Sequence, residues 1–327
     1  MIAVDSPRFL SFVPAAPTQA SALFDALVSC SSVQGVSWLL ASGPIAAENQ
    51  VLRLLADLAG MPTAAGGCFV SGGSAGNLSA LVTARDTARH RRGPGRYDRV
   101  RFAVSDQAHS SIGNALRIIG VEPFTVPTVD HRLTGPALRA ALLTAPHPSD
   151  VIGVAATAGT TNAGIIDDLA GIAAVARDFD LWFHVDGAHG GAGLLAPSVR
   201  HRYRYRDIEH ADSLVIDPHH LSRRARGLPL WFSLAVHGTR AYSEAIEKAL
   251  TLARDPATLI RNTPYLELIR DPELSAVLFR RIGWTSEDYA EWSARLLAGQ
   301  TAFVAPTGWE GETVARFAFL HPETSWR

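Results

Sequence analysis

The sequence predicts an α/β fold: a doubly wound, mostly parallel sheet followed by a small C-terminal α+β domain. Three observations carry that expectation. From about residue 68, short apolar runs rich in β-branched residues alternate with amphipathic segments at helical spacing. Parallel strands need crossover connections of that length, usually helices, so the alternation argues for a sheet covered on both faces. After about residue 221 the pattern turns helical and closes on two further strand candidates.

In chain order, "SALFDALVSC" and "AAENQVLRLLADLAG" repeat apolar residues every three to four positions, and Gly60 is a stop signal. Residues 1–60 therefore read as an N-terminal helical segment. Residues 61–220 read as the large domain. Its strand candidates are "CFV" (68–70), "RVRFAVS" (99–105), "EPFTVP" (122–127), "VIGVAAT" (151–157), "LWFHVD" (181–186) and "DSLVID" (212–217). The segments "SAGNLSALVTARDTARH", "SSIGNALRIIG", "GPALRAALLTA" and "DLAGIAAVARDF" supply the helices. Residues 221–327 read as a linking helix and the small domain, with "TAFVAP" and "TVARFAFLHP" as strands around the turn-like "TGWEGE".

Composition narrows the function. Over 327 residues, 47% are hydrophobic and 19% charged, the balance of a globular chain. A formal net charge of −1 argues against a nucleic-acid partner. No apolar run approaches the roughly 20 residues of a membrane span. The opening "MIAVDSPRFLSF" lacks the basic and apolar regions of a signal peptide. Cys30 and Cys68 are too few for a disulfide framework or zinc site, and are expected as reduced core thiols of a cytoplasmic protein. Lys248 is the one lysine among 30 basic residues, a bias that a GC-rich genome accounts for.

Four stretches at predicted strand ends carry chemistry, where ligands of open α/β sheets collect. "SGGSAGNLSA" (71–80) offers small residues before a helix whose free N–H groups and positive dipole end suit a phosphate, with Ser74, Ala75 and Gly76 as contacts; a plain strand-to-helix turn is the alternative. "SDQAHSS" (105–111) sets His109 at a helix start, where it could lie on an aromatic ring, move a proton or simply cap the helix. "ATAGTTNAGIIDD" (156–168) puts Thr160 and Thr161 on a glycine-flanked loop, with Asp167 or Asp168 as a helix cap. "WFHVDGAHGG" (182–191) ends an apolar strand on Asp186, a carboxylate that wants a positive partner such as a protonated pyridine nitrogen; Gly187 and Ala188 leave room for a flat ring. A metal site on His184, Asp186 and His189 is the competing reading.

Together these stretches resemble the pyridoxal-phosphate-dependent group II amino-acid decarboxylases, the family of aromatic-amino-acid and glutamate decarboxylases. The likeness runs from "SPRFLSFVPAAPT" through "GVSWLLASGPIAAENQVLRLLADLAGMP" to "FVAPTGWEGETVARFAFLHPETS". It implies a fold-type-I, cytoplasmic homodimer with an amino-acid substrate. It implies that Ser74, Ala75 and Gly76 hold the cofactor phosphate, with Ser213 and His219 on the same side. His109 would stack on the pyridine ring, Thr161 lie near its polar edge, Asp186 pair with its nitrogen and Ala188 pack on its other face. Phe12, Val13, Pro14, Val36 and Trp38 match the family's side-chain pocket, and their apolar character suits an aromatic or bulky hydrophobic amino acid.

Two departures stand out. After "DPH" the family has the lysine that tethers the cofactor, and here the residue is His220. Moreover, "HLSRRARGLPLWFSLAVHGT" resembles a helix that the family reaches several tens of residues later. The resemblance therefore implies an internal deletion of the lysine and catalytic loop, with His219 and His220 at the junction. The family's N-terminal helical arm is also expected to be missing. Three readings follow: an impaired decarboxylase, a pseudoenzyme or partner-binding dimer subunit, and a lysine-free enzyme using His220 as base. In any of them the cofactor would be held non-covalently, because an imidazole has no primary amine.

Overall fold

The computed structural model describes residues 2–13, 18–31, 35, 37–92, 100–200, 203–217 and 227–325. The chain forms two compact units. One comprises Gln19–Thr160 and Ile165–Val236; the other comprises Met1–Thr18, Thr161–Gly164 and His237–Arg327.

The larger unit is built on five parallel strands: β1 (Arg101–Ser105), β2 (Glu122–Val126), β3 (Val151–Thr157), β4 (Trp182–Gly187) and β5 (Ser213–Ile216). Their order is β2-β1-β3-β4-β5. The chain thus winds outward in both directions from the β1–β3 pair. With crossovers of one hand, that reversal puts the connecting helices on opposite faces of the sheet. All seven residues of β3 are buried, as a central strand covered on both faces requires.

Helices α1 (Gln19–Cys30) and α2 (Trp38–Leu58) precede the sheet. Pro44 lies inside α2, and the helix kinks at Ala41, where the proline ring and its missing N–H disturb the preceding turn. α3 (Gly73–Arg92) and α4 (Ser110–Ile119) cover Phe102 and Val104 of β1 with Leu81, Ile112 and Leu116. α5 (Gly135–Thr144) starts on Thr134, whose hydroxyl accepts from the Ala137 amide. It pairs with α6 (Leu169–Asp178), which Asp168 caps through the Gly171 amide. The short α7 (Pro197–Arg200) follows β4.

α8 (Gly227–Arg261) is interrupted at Gly238, whose φ of +73° suits glycine. Its first part packs against α1 and α2, with Leu228 beside Val28 and Ala47, and Phe24 stacked on Phe232 at 3.8 Å. The smaller unit carries an antiparallel sheet, β6 (Leu266–Leu268), β7 (Ala276–Arg281), β8 (Thr307–Trp309) and β9 (Glu312–Ala318), in the order β6-β7-β9-β8. α9 (Ser286–Ala298) begins with a capping box between Thr285 and Asp288, and buries Tyr289 in a core with Val277, Phe279 and Phe319.

Some expectations change. "CFV" forms no strand, and in "TAFVAP" only Phe303 bridges, to Phe9. β6, β7 and α9 have no counterpart among the predicted elements; β6, at three residues, is too short for helix and strand periods to be separated. Cys30 and Cys68 are free but exposed, not core thiols.

Candidate functional site

Period-two alternation puts His184 and Asp186 on one face of β4, and α3 crosses that face. Asn77, on the first turns of α3 and 1% exposed, fills the space between them. Its Nδ2 donates to Asp186 Oδ2 at 3.0 Å and to Ser111 Oγ at 3.0 Å. Its Oδ1 lies 3.1 Å from His184 Nε2. The Ala188 amide donates to Asp186 Oδ1 at 3.1 Å. Asp186 is thus a buried carboxylate with two neutral donors, and no cationic side chain pairs with it among the described residues.

The glycine turn lies against the same strand end. Gly72 has φ +140°, which a side chain would strain. A Cβ on Gly73 would come within 2.8 Å of the Ala188 Cβ, so only glycine lets the turn approach β4 this closely. The Gly73 amide donates to Asp217 Oδ2 at 2.7 Å, so an anion already sits on the first amide of the helix. The Ala75 and Gly76 amides donate to the Gly72 carbonyl at 3.0 and 3.1 Å. These two are committed within the helix, and Ser74, which is exposed, is left as the contact of the predicted trio that faces outward.

His109 is the N-cap of α4. Its Nδ1 accepts from the Ser111 amide at 3.2 Å and lies 2.8 Å from Ser111 Oγ. Ser111 links it through Asn77 to Asp186, so two predicted site residues share one network. Ser213 is placed differently from expectation. It opens β5, roughly 13 Å of extended chain from Asp217 at the other end. Its Oγ is bonded to Trp182 Nε1 at 2.8 Å and lies 2.9 Å from His184 Nδ1. It supports the network from beneath and does not approach the glycine turn. Burial pushes the pKa of His184 down to about 4, against the opposing pull of Asp186 and of the Ser213 backbone.

The residues of the competing metal reading are separately engaged: His189 Nδ1 lies 3.2 Å from the Thr160 carbonyl, while His184 faces Asn77 and Ser213. Thr160 is buried, with its hydroxyl accepting from the Ile165 amide at 3.1 Å. Asp167 accepts from the Leu133 and Thr157 amides, and Asp168 is the helix cap.

In the smaller unit, exposed Thr161 gives its carbonyl to Arg316 Nη1 at 3.1 Å. Arg316 is 5% exposed, its Nε has no hydrogen-bond partner among the described residues, and no carboxylate pairs with it there. Phe12, with φ +57°, is exposed beside Phe9 and Phe303, and Val13 is half-buried. Trp38 is exposed at the start of α2, in the larger unit. Pro14, Val36, His219 and His220 lie outside the described residues. Asn77, Asp217 and Arg316 were missed by motif reading. The one signal for Asn77 was a polar residue at a core-facing position of "SGGSAGNLSA".

The conserved domain of the pyridoxal-dependent decarboxylases matches residues 2–222. An aromatic-L-amino-acid decarboxylase of Bacillus atrophaeus is 28% identical over 389 aligned positions, spanning 98% of this chain and 78% of the relative. An L-2,4-diaminobutyrate decarboxylase of Rhizobium meliloti strain 1021 is 28% identical over 359 positions, spanning 92% and 71%. The crystal structure of Oryza sativa TDC with PLP and tryptamine has a TM-score of 0.87 at 26% identity, covering 97% of this chain and 79% of that one. Fold and site define a fold-type-I pyridoxal-phosphate frame. The chain belongs to the pyridoxal-dependent decarboxylase family, with amino-acid decarboxylation as the family chemistry.

The larger unit fits the cofactor at both ends. Asp186 offers a buried carboxylate with no cationic partner among the described residues, suited to a pyridinium N–H. The turn at Gly72–Ser74 accommodates an anion, for which the Asp217 carboxylate now stands.

Proposed function

We propose that this chain holds pyridoxal phosphate without a covalent tether, and that it is an impaired decarboxylase of aromatic or bulky hydrophobic amino acids. Asp186 carries the reading: a buried carboxylate held by two neutral donors, beside a glycine turn that takes an anion. Bound there, the cofactor supplies a sink for the electron pair left when a carboxyl group departs as CO₂. The protein's share is to keep an anion at the ring nitrogen, the Gly73 amide and the Ser74 hydroxyl at the phosphate, and His109 and Ala188 beside the ring. Thr161 is the proposed contact at the ring's polar edge, and His219 remains a phosphate-side candidate.

Impairment rests on the sequence. The tether position reads His220, and Lys248, the one lysine, is exposed on α8. The alignment to the Bacillus relative needs 389 positions, more than the 327 residues of this chain, which supports an internal gap of several tens of residues. The family match ends at residue 222, beside the inferred junction. Phe12, Val13, Pro14, Val36 and Trp38 are the proposed side-chain pocket, and aromatic-type relatives favour the same substrate class.

A cytoplasmic homodimer completes the reading. Leu39 is 90% exposed and Leu40 72%, with Leu23, Leu27 and Trp38 also open on α1 and α2, an apolar surface a second copy would cover. A pseudoenzyme that dimerises but turns nothing over is the second reading, favoured by the lost lysine. His220 acting as a base in a lysine-free enzyme is the third. Amine and CO₂ assays with tryptophan, tyrosine and phenylalanine test the first. Measurable product from the parent, raised at least tenfold on restoring the lysine and the missing loop, supports it. Product lost in His220→Ala supports the third, and no product from parent or restored chain overturns decarboxylation.

A further inference from the structure

The hydrogen bonds around Asn77 form one continuous chain whose direction is set at the Asp186 carboxylate, which only accepts. At the far end Trp182 Nε1 donates to Ser213 Oγ at 2.8 Å, and the same hydroxyl, which can accept twice or donate, lies 2.9 Å from His184 Nδ1. The Asn77 NH₂ group therefore faces Asp186 Oδ2 and Ser111 Oγ, both at 3.0 Å. Its Oδ1 faces Nε2 of the wholly buried His184 at 3.1 Å, which places the proton of the neutral ring on Nε2 and leaves Nδ1 to accept from Ser213 Oγ. The His109 end is compatible with that polarity. The Ser111 amide can only donate, so His109 Nδ1 is an acceptor and its proton lies on Nε2. Ser111 Oγ accepts from Asn77 and gives its proton to His109 Nδ1 at 2.8 Å.

We propose that Asn77 is the positioning residue of the cofactor site: its amide aims the Asp186 carboxylate, and its second N–H ties that carboxylate to Ser111 and His109 as one unit. This rests on the pyridoxal-phosphate reading above. Asp186 acts as the lock, and His184 follows with its proton on Nε2. If the amide turned over, its oxygen would face the Asp186 carboxylate at hydrogen-bond distance, a repulsive contact whichever tautomer His184 adopts, inside a buried network where an unsatisfied polar group is costly. The arrangement therefore has one orientation, and Asp186 is held ready before any ligand arrives.

The test has two arms. In the unloaded parent chain, long-range ¹H–¹⁵N spectra should report Nε2–H tautomers for both His184 and His109. Asn77→Leu, which keeps the volume and removes the amide, should turn His184 to the Nδ1–H form with Ser213 as acceptor. In the second arm, pyridoxal phosphate is titrated by its visible absorbance. Asn77→Leu and Asn77→Ala should each weaken binding at least tenfold, whereas Ser111→Ala, which leaves the Asp186 contact intact, should weaken it less than threefold. A parent His184 already in the Nδ1–H form overturns the proposal, and this measurement needs no variant to fold. Equal affinities of the parent and a folded Asn77 variant overturn it too. A parent that takes up no pyridoxal phosphate defeats the cofactor reading and with it Asn77's service to that cofactor. Tautomers as drawn would still support the polarity of the network.

Discussion

His184 ties the stability of the larger unit to pH in a direction that can be worked out. Burial holds its pKa at about 4 in the folded chain, against 6.5 for an ordinary histidine. Below 6.5 the unfolded chain takes up a proton that the folded chain refuses. The contribution of His184 is therefore fully present above pH 6.5 and is lost as pH falls toward 4. Between pH 7 and pH 5 the loss amounts to about 2 kcal/mol, and it approaches about 3 kcal/mol once pH is below 4. The partners explain the size: the ring is wholly buried, Ser213 faces one nitrogen, the Asn77 oxygen faces the other, and Asp186 offsets only part of the desolvation. Other groups titrate in the same window, so the informative quantity is a difference between variants. His184→Gln cannot titrate and should lose about 2 kcal/mol less than the parent between pH 7 and pH 5. Urea unfolding of both chains at the two pH values, followed by near-ultraviolet circular dichroism, measures it. Identical losses, or an imidazole that titrates near 6.5 in the folded parent, would refute the reasoning.

Two further outcomes follow from the same geometry. Asp217→Asn removes a negative charge from the N-terminus of α3 and should cost about 0.5–1 kcal/mol in urea unfolding. It should also tighten pyridoxal phosphate binding several-fold by freeing the Gly73 amide from a carboxylate; weaker binding would mean that Asp217 shapes the turn and does not compete for it. Arg316→Met replaces a buried guanidinium that has no carboxylate partner among the described residues, so unfolding stability should hold or rise by about 1 kcal/mol. If that guanidinium takes a carboxylate ligand, millimolar amino acid should raise the Tm of the parent and leave the variant unmoved. Equal shifts in both would remove Arg316 from ligand binding.

Much of the sheet could be read from the sequence, because β1, β2 and β3 are short apolar runs, each followed by a helix with a side-chain N-cap. "VIGVAAT" coincides with β3 residue for residue, and the cap of the following helix was narrowed to Asp167 or Asp168, of which Asp168 takes the role. The glycine turn and Asp186 were legible for the same reason: small residues and a carboxylate at strand ends have few structural uses. What stayed hidden depends on contacts between distant segments. Ser213 was assigned to the phosphate side from its position in a motif, yet strand pairing sets it opposite His184, a partner no local pattern reveals. Asn77 looks like an ordinary helix residue until β4 is packed against α3. Phe303 bridges Phe9 across almost the full chain length, which no window of periodicity can detect.

The most direct test of the account is a pyridoxal phosphate titration of the purified chain, followed by borohydride and intact-mass measurement. The account predicts saturable binding, at least tenfold weaker in Asp186→Asn, competition by inorganic phosphate, and no mass added after reduction. A cofactor mass fixed to the protein by borohydride, or an affinity indifferent to Asp186, would contradict it.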